Sequence, residues 1–175
     1  MENVELKARC ADLDAAEAVA QRLVGPHPKA RLHQTDTYFG CGEGRLKLRE
    51  VTGTRSFAEL ISYSRPDEPG PKGSDYQIAP ITGFAEELKY ALTAALGVRA
   101  IVNKQRTVYI YDQTRIHLDR VDGLGDFIEF EAVLSEGQTE EAGYAVVRRL
   151  MTEFGIGQDD LIDRSYVDLK EEAAD

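Results

Sequence analysis

Polar and apolar residues alternate strictly from Asn3 to Arg9 (Asn-Val-Glu-Leu-Lys-Ala-Arg), the two-residue period of a strand with one apolar face. The same period returns in Arg45-Leu46-Lys47-Leu48-Arg49. It predicts further strands near Gln34–Phe39, Glu59–Arg65, Asp75–Pro80, Ala100–Tyr111, Arg115–Val121 and Asp126–Leu134. Three segments read instead as helices. One is capped by Asp12 and runs to Val24 before Gly25, one covers Phe84–Leu96 before Gly97, and one covers Thr139–Phe154 before Gly155. A short helical tail is expected from Asp159 towards Lys170. Residues 66–74 hold three prolines and two glycines and read as a surface loop. With about seven or eight strands, mostly joined as hairpins, the pattern is one α+β domain spanning residues 1–175 with a mostly antiparallel sheet.

The polar faces of these strands are unusual. Alternation places Asn3, Glu5, Lys7 and Arg9 together, then Arg45, Lys47 and Arg49, then Lys104 and Arg106. Arg115, His117 and Asp119 share another face, as do Glu129 and Glu131. A solvated face normally mixes both charge signs with Ser, Thr and Gln, whereas three of these are nearly all basic and one is a carboxylate pair. Like charges on neighbouring strands repel. The pattern makes sense in a barrel with its polar faces inward and its apolar faces turned out towards the helices, the interior being neutralised by a multiply charged anion with metal ions.

Lys7, Arg9, Arg45, Lys47, Arg49, Arg65, Lys104, Arg106 and Arg115 then line the interior with Glu5, Asp119, Glu129 and Glu131. Nine cations against four carboxylates leave +5 inside and −15 on the rest of a chain whose formal total is −10. Clustered cations suit a polyphosphate, and the carboxylates suit hard divalent ions that share oxygen ligands with it.

The acidic total opposes a nucleic-acid or anionic-membrane partner, and no apolar run approaches the roughly 20 residues of a bilayer span. Met1-Glu2-Asn3 does not open a secretory pattern, and Cys10 and Cys41 form no CxxC pair. A reducing, cytoplasmic setting is expected. Tyr38, Tyr63, Tyr109 and Tyr111 read as packing residues, and His117 as a hydrogen-bonding neighbour rather than a base.

In this order and spacing, several segments resemble the CYTH family, the triphosphate tunnel metalloenzymes. They are Asn3-Val4-Glu5-Leu6-Lys7-Ala8-Arg9, Gln34-Thr35-Asp36-Thr37-Tyr38-Phe39, Gly44-Arg45-Leu46-Lys47-Leu48-Arg49-Glu50, Lys104-Gln105-Arg106, Ile116-His117-Leu118-Asp119 and Gly123-Leu124-Gly125-Asp126-Phe127-Ile128-Glu129-Phe130-Glu131. The Gly-Leu-Gly-Asp-Phe turn and the first strand are most similar to the class IV adenylate cyclase branch. The resemblance implies an eight-stranded antiparallel closed barrel, a tunnel that binds a triphosphate-bearing small molecule lengthwise with Mg²⁺ or Mn²⁺. It implies that Glu5, Lys7 and Arg106 are catalytic, that the nine cations grip phosphate, and that Glu5, Asp119, Glu129 and Glu131 hold metal. Tyr166 would plug a tunnel mouth, and a homodimer fits the family.

The implied reaction is ATP to cyclic AMP and pyrophosphate. Hydrolysis of thiamine, inorganic or nucleoside triphosphate, or binding without turnover, are the alternatives. One residue departs from the family's Glu-x-Glu-x-Lys hallmark: Asn3 stands where the first Glu is expected. That lowers the expected metal affinity of its corner.

Overall fold

The computed structural model describes residues 2–64, 72–135 and 137–173. Its strands are β1 (Glu2–Arg9), β2 (Ala30–Phe39), β3 (Arg45–Gly53), β4 (Phe57–Ser64), β5 (Lys72–Ile81), β6 (Val98–Tyr111), β7 (Thr114–Val121) and β8 (Gly125–Val133). They close into a barrel in the order β1-β5-β4-β3-β2-β6-β7-β8. Every neighbouring pair is antiparallel, and β1 completes the ring by pairing with both β5 and β8. The helices are α1 (Leu13–Val24), α2 (Ala85–Leu96), α3 (Glu140–Phe154) and α4 (Tyr166–Glu172). The expected antiparallel barrel with flanking helices is therefore the observed fold.

The apolar faces do turn outward. Val4, Leu6 and Ala8 of β1 join Ile116, Leu118, Ile128, Phe130 and Ala132 in a core roofed by Ala16 and Ala20 of α1 and Val147 and Leu150 of α3. Asp12 caps α1, its carboxylate accepting from the Ala15 amide at 3.0 Å. α3 sits so close to β1 that a Cβ on Gly143 would lie 2.8 Å from Val4 Cγ2.

Inside the barrel, polar residues occupy the middle and apolar residues the ends. Along β2 the inward residues run Ala30, Leu32, Gln34, Asp36, Tyr38, and along β6 they run Val102, Lys104, Arg106, Val108. Ala30, Leu32, Val51 and Val108, with Phe57, make one apolar cluster. At the other end Tyr38, Val102, Val121 and Phe127 pack with Tyr166 and Val167 of α4. α4 thus closes that mouth, as expected for Tyr166.

β2 begins at Ala30 rather than Gln34 and β3 runs on to Gly53 rather than Arg49, and two further boundaries differ in the kind of element. Lys72–Ser74, expected to be loop, belong to β5, because their backbone pairs with Asn3–Glu5 of β1; residues 66–71 of that expected loop lie outside the described residues. The tail is not one helix from Asp159. A single 3₁₀ turn (Gln158–Asp160) is followed by Leu161, which bridges to Ala8, and by Ile162, whose amide donates to the Lys7 carbonyl. Those two bonds to β1 hold the chain extended before α4 begins.

Candidate active site

Residues directly opposite each other in an antiparallel ladder share a face. The register therefore gathers Lys7, Lys47, Arg49, Lys104 and Arg106 around one interior. Arg106 is opposite Asp119, Lys7 is opposite Glu129, Arg49 is opposite Asp36, and His117 is opposite Glu129. Each of these cations is bound to a carboxylate.

Asp36 accepts from Lys47 Nζ at 2.7 Å and from Arg49 at 2.9 and 3.0 Å through both of its oxygens. Gln34 adds an amide hydrogen bond at 3.1 Å. Asp119 is wholly buried and accepts from Lys104 Nζ at 2.9 Å, from Arg106 Nε at 2.6 Å and from the Tyr166 hydroxyl at 3.1 Å. The Arg106 guanidinium also reaches Glu129, which stands 3.4 Å from Lys7 Nζ. The Tyr166 ring lies under both Lys7 (3.8 Å to its centroid) and Lys104 (4.7 Å).

The electrostatics follow from this crowding. Burial raises the Asp36 carboxyl, but Arg49 and Lys47 outweigh it and hold Asp36 well below the carboxylate range. The same balance, with Arg106 and Lys104 as the dominant charges, depresses Asp119 and Glu129. Burial and the neighbouring Arg49 bring Lys47 down to about 7 despite Asp36, and burial with Arg106 lowers Lys104. Arg49 and Arg106 stay charged. His117 is lowered by burial and Arg106; its Nδ1 lies 3.6 Å from Glu129 Oε2, beyond hydrogen-bonding reach.

Three other sequence candidates, Arg9, Arg45 and Arg115, sit at the rims, because alternation tells the face a residue takes but not its depth. Arg9 is exposed with its guanidinium 5.5 Å from the Phe127 ring centroid. Arg45 binds Asp168 of α4 at 2.8 Å. Arg115 is exposed and donates to Glu131 at 3.0 Å. Arg65 lies outside the described residues. Beside Arg45 and Lys47 a hollow of ≈ 270 Å³ is lined by Tyr63, Tyr76, Ser62, Ser64, Gln77 and Glu43. Lys47 Nζ is 5.4 Å from the Tyr63 ring centroid.

At the acidic corner Glu5 and Glu131 are opposite each other on β1 and β8. Burial raises Glu131, and His117, Arg115 and the Asn3 amide bring it down overall. Among the described residues no group of three or more His, Cys, Asp or Glu side chains is gathered to hold a metal ion. The four expected ligands are divided: Asp119 and Glu129 serve the cations, while Glu5 and Glu131 share the Asn3 amide. As arranged, this donor set does not fit a resident divalent ion.

Three residues of the site escaped the sequence reading: Asp36, Gln34 and Asp168. The first two had a signal, since Gln34, Asp36 and Tyr38 fall on one face, but Thr35 and Thr37 make the opposite face equally polar. Asp168 had none, because its contact with Arg45 spans 123 positions.

Comparison with solved structures gives the same architecture. PH1819 from Pyrococcus horikoshii superposes with a TM-score of 0.82 at 19% identity, over 97% of this chain and 98% of that one. A protein of Vibrio parahaemolyticus named as a candidate adenylate cyclase superposes at 0.75 with 20% identity, over 96% and 97%. HpAC1 from Hippeastrum, described as a candidate adenylyl cyclase with a dominant triphosphatase activity, superposes at 0.57 with 15% identity, over 89% of each chain. At these identities the likeness carries the fold alone. No curated protein matches the chain in sequence. The CYTH domain itself matches residues 1–166, and the chain belongs to the CYTH family.

Proposed function

We propose that this chain acts on a triphosphate-bearing small molecule in the barrel interior, most simply as a class IV adenylate cyclase-like enzyme that converts ATP to cyclic AMP and pyrophosphate. Members of the family are adenylate cyclases or triphosphatases and use divalent metal ions. The observation that carries the reading is the convergence of Lys7, Lys47, Arg49, Lys104 and Arg106 on one enclosed polar interior.

Asp36, Asp119 and Glu129 hold these cations in position before substrate arrives. Phosphate oxygens then compete for the same donors, with Arg49 and Arg106 offering planar forks and the lysines point charges. Cations fixed beforehand stabilise the charge that builds on the departing phosphate without reorganising. For cyclisation the ribose 3′ oxygen bonds to the α-phosphorus as the bond to the bridging oxygen breaks. Pyrophosphate leaves, and the hydroxyl proton passes to solvent. Mg²⁺ or Mn²⁺ enters as part of the metal–triphosphate substrate. The hollow beside Tyr63 and Tyr76 favours a substrate with an aromatic organic group over bare inorganic triphosphate, since every base has a face that stacks on an aromatic ring.

A second reading, binding without turnover, is favoured by one observation: Asn3 occupies the corner between Glu5 and Glu131. Incubation with ATP, thiamine triphosphate or tripolyphosphate, each with Mg²⁺ or Mn²⁺, separates these readings. Cyclic AMP with pyrophosphate supports the cyclase, and released phosphate supports a triphosphatase. Tight binding with neither product leaves the binding protein, and no binding of any of the three overturns the proposal.

A further inference from the structure

Asn3 is the first described inward residue of β1 and is only 1 % exposed. Its amide nitrogen donates to Glu131 Oε1 at 2.8 Å and to Glu5 Oε1 at 3.1 Å. An amide NH₂ has two N–H donors, and here each meets a different carboxylate. Turning the amide over would aim its oxygen at two carboxylates, so the charges dictate which way it faces. Without a group between them, Glu5 and Glu131 would oppose like charges directly across two strands. The arrangement has a cost: Asn3 Oδ1 is buried with no hydrogen-bond partner among the described residues, so its desolvation goes uncompensated. That oxygen is left over because the nitrogen side of the amide is committed to the carboxylates.

We propose that the Asn3 amide is a built-in counter-group for the Glu5–Glu131 pair, occupying the position between them that a divalent ion would take. This corner therefore holds no resident metal ion. Its two carboxylates are kept together by hydrogen bonds that do not depend on metal supply, and Arg115, at 3.0 Å from the second oxygen of Glu131, supplies a compensating charge to that residue. The corollary, that metal reaches the interior only on the triphosphate, rests on the function proposed above; the metal-free corner does not.

The test uses the full chain and Mn²⁺ alone, followed by the electron paramagnetic resonance of the free ion, with thermal melts in a chelator and in Mn²⁺. The wild-type chain is expected to show no saturable site at micromolar Mn²⁺ and a melting temperature that Mn²⁺ leaves unchanged. Asn3→Glu places a third carboxylate at the corner. It is expected to bind one Mn²⁺ per chain at least about tenfold more tightly than wild type, to melt lower than wild type in chelator, and to recover when Mn²⁺ is added. A wild-type site at micromolar Mn²⁺ that Glu131→Gln removes would overturn the inference, and so would an Asn3→Glu chain that folds yet gains no site. Should Asn3→Glu not fold, the wild-type titration with its Glu131→Gln control still decides. Calorimetry with tripolyphosphate in chelator runs in parallel. Binding there alongside a wild-type Mn²⁺ site sinks only this inference, whereas failure of ATP, thiamine triphosphate and tripolyphosphate all to bind with Mg²⁺ present sinks the functional proposal and leaves the Mn²⁺ result standing.

Discussion

Replacing Asp36 by Asn removes one buried charge and keeps the side chain's shape. In the folded chain Asp36 is the acceptor for Lys47 at 2.7 Å and for both prongs of Arg49, and all three side chains are buried or half-buried. Removing one partner of a buried ion pair typically costs about 3–5 kcal/mol, because the other charges are left uncompensated. For a chain of this size each kcal/mol moves the melting temperature by about 2–4 °C, so Asp36→Asn should melt roughly 6–20 °C below wild type.

Two controls follow from the same structure. Tripolyphosphate returns negative charge to Lys47 and Arg49. A ligand at a hundredfold excess over its dissociation constant stabilises by about 2.7 kcal/mol, and the variant, which needs the charge more, should gain more than wild type. The second control is pH. Lys47 sits at about 7 when folded against its ordinary 10.5, so above pH 7 the unfolded chain binds more protons than the folded one and this group's contribution to stability rises with pH. Without Asp36 the Lys47 value falls further, the variant sheds that charge at lower pH, and its deficit should be smaller at alkaline than at weakly acidic pH. Urea melts at several pH values, with and without tripolyphosphate, measure all three effects. A deficit under about 1 kcal/mol, or one that tripolyphosphate leaves untouched, would refute the idea that Asp36 stands in for a bound anion.

Other consequences are as direct. Because Lys47 loses its proton near 7 in the free chain and a bound polyanion favours the charged form, tripolyphosphate affinity should weaken as pH rises from 7 towards 9; calorimetry that finds it constant across that window contradicts the assignment. Tyr166→Phe keeps the ring beneath Lys7 and loses the bond to Asp119, for about 1 kcal/mol, whereas Tyr166→Ala also empties the α4 mouth, for about 3–5 kcal/mol. Equal destabilisation of the two variants in denaturant melts would show that the ring is not what seals the mouth. Gly143→Val should cost at least about 1–3 kcal/mol by forcing α3 away from Val4, and an unchanged denaturation midpoint would show that this close approach relaxes freely.

The barrel was legible in the sequence wherever one face of a strand was apolar. β1, β3, β7 and β8 each alternate cleanly, and the excess of like charge on the polar faces of β1, β3, β6 and β8 indicated which side had to point inward. β2 was harder, because Thr35 and Thr37 flank Asp36 and neither face looks apolar; the carboxylate that organises Lys47 and Arg49 was overlooked for that reason. Depth was invisible too: Arg9 and Arg115 have the inward phase of Lys7 and His117 yet end at the rims. Lys72–Ser74 read as loop from their Gly and Pro neighbours, although pairing with β1 overrides that local preference. The position of Asn3 stood out as a missing charge, but periodicity alone could not show its two N–H groups bridging Glu5 and Glu131.

The ring order has a kinetic consequence. β1 is made first, yet its partners are β5 and β8, and Asn3 must find Val133, 130 positions away in the chain. Until those segments exist, β1 remains a strand with two open edges and an apolar face, the kind of intermediate that invites pairing between chains. Such long-range closure slows folding. On a ribosome β1 cannot find its β8 partner before the whole barrel sequence has emerged, so the cationic interior assembles only then.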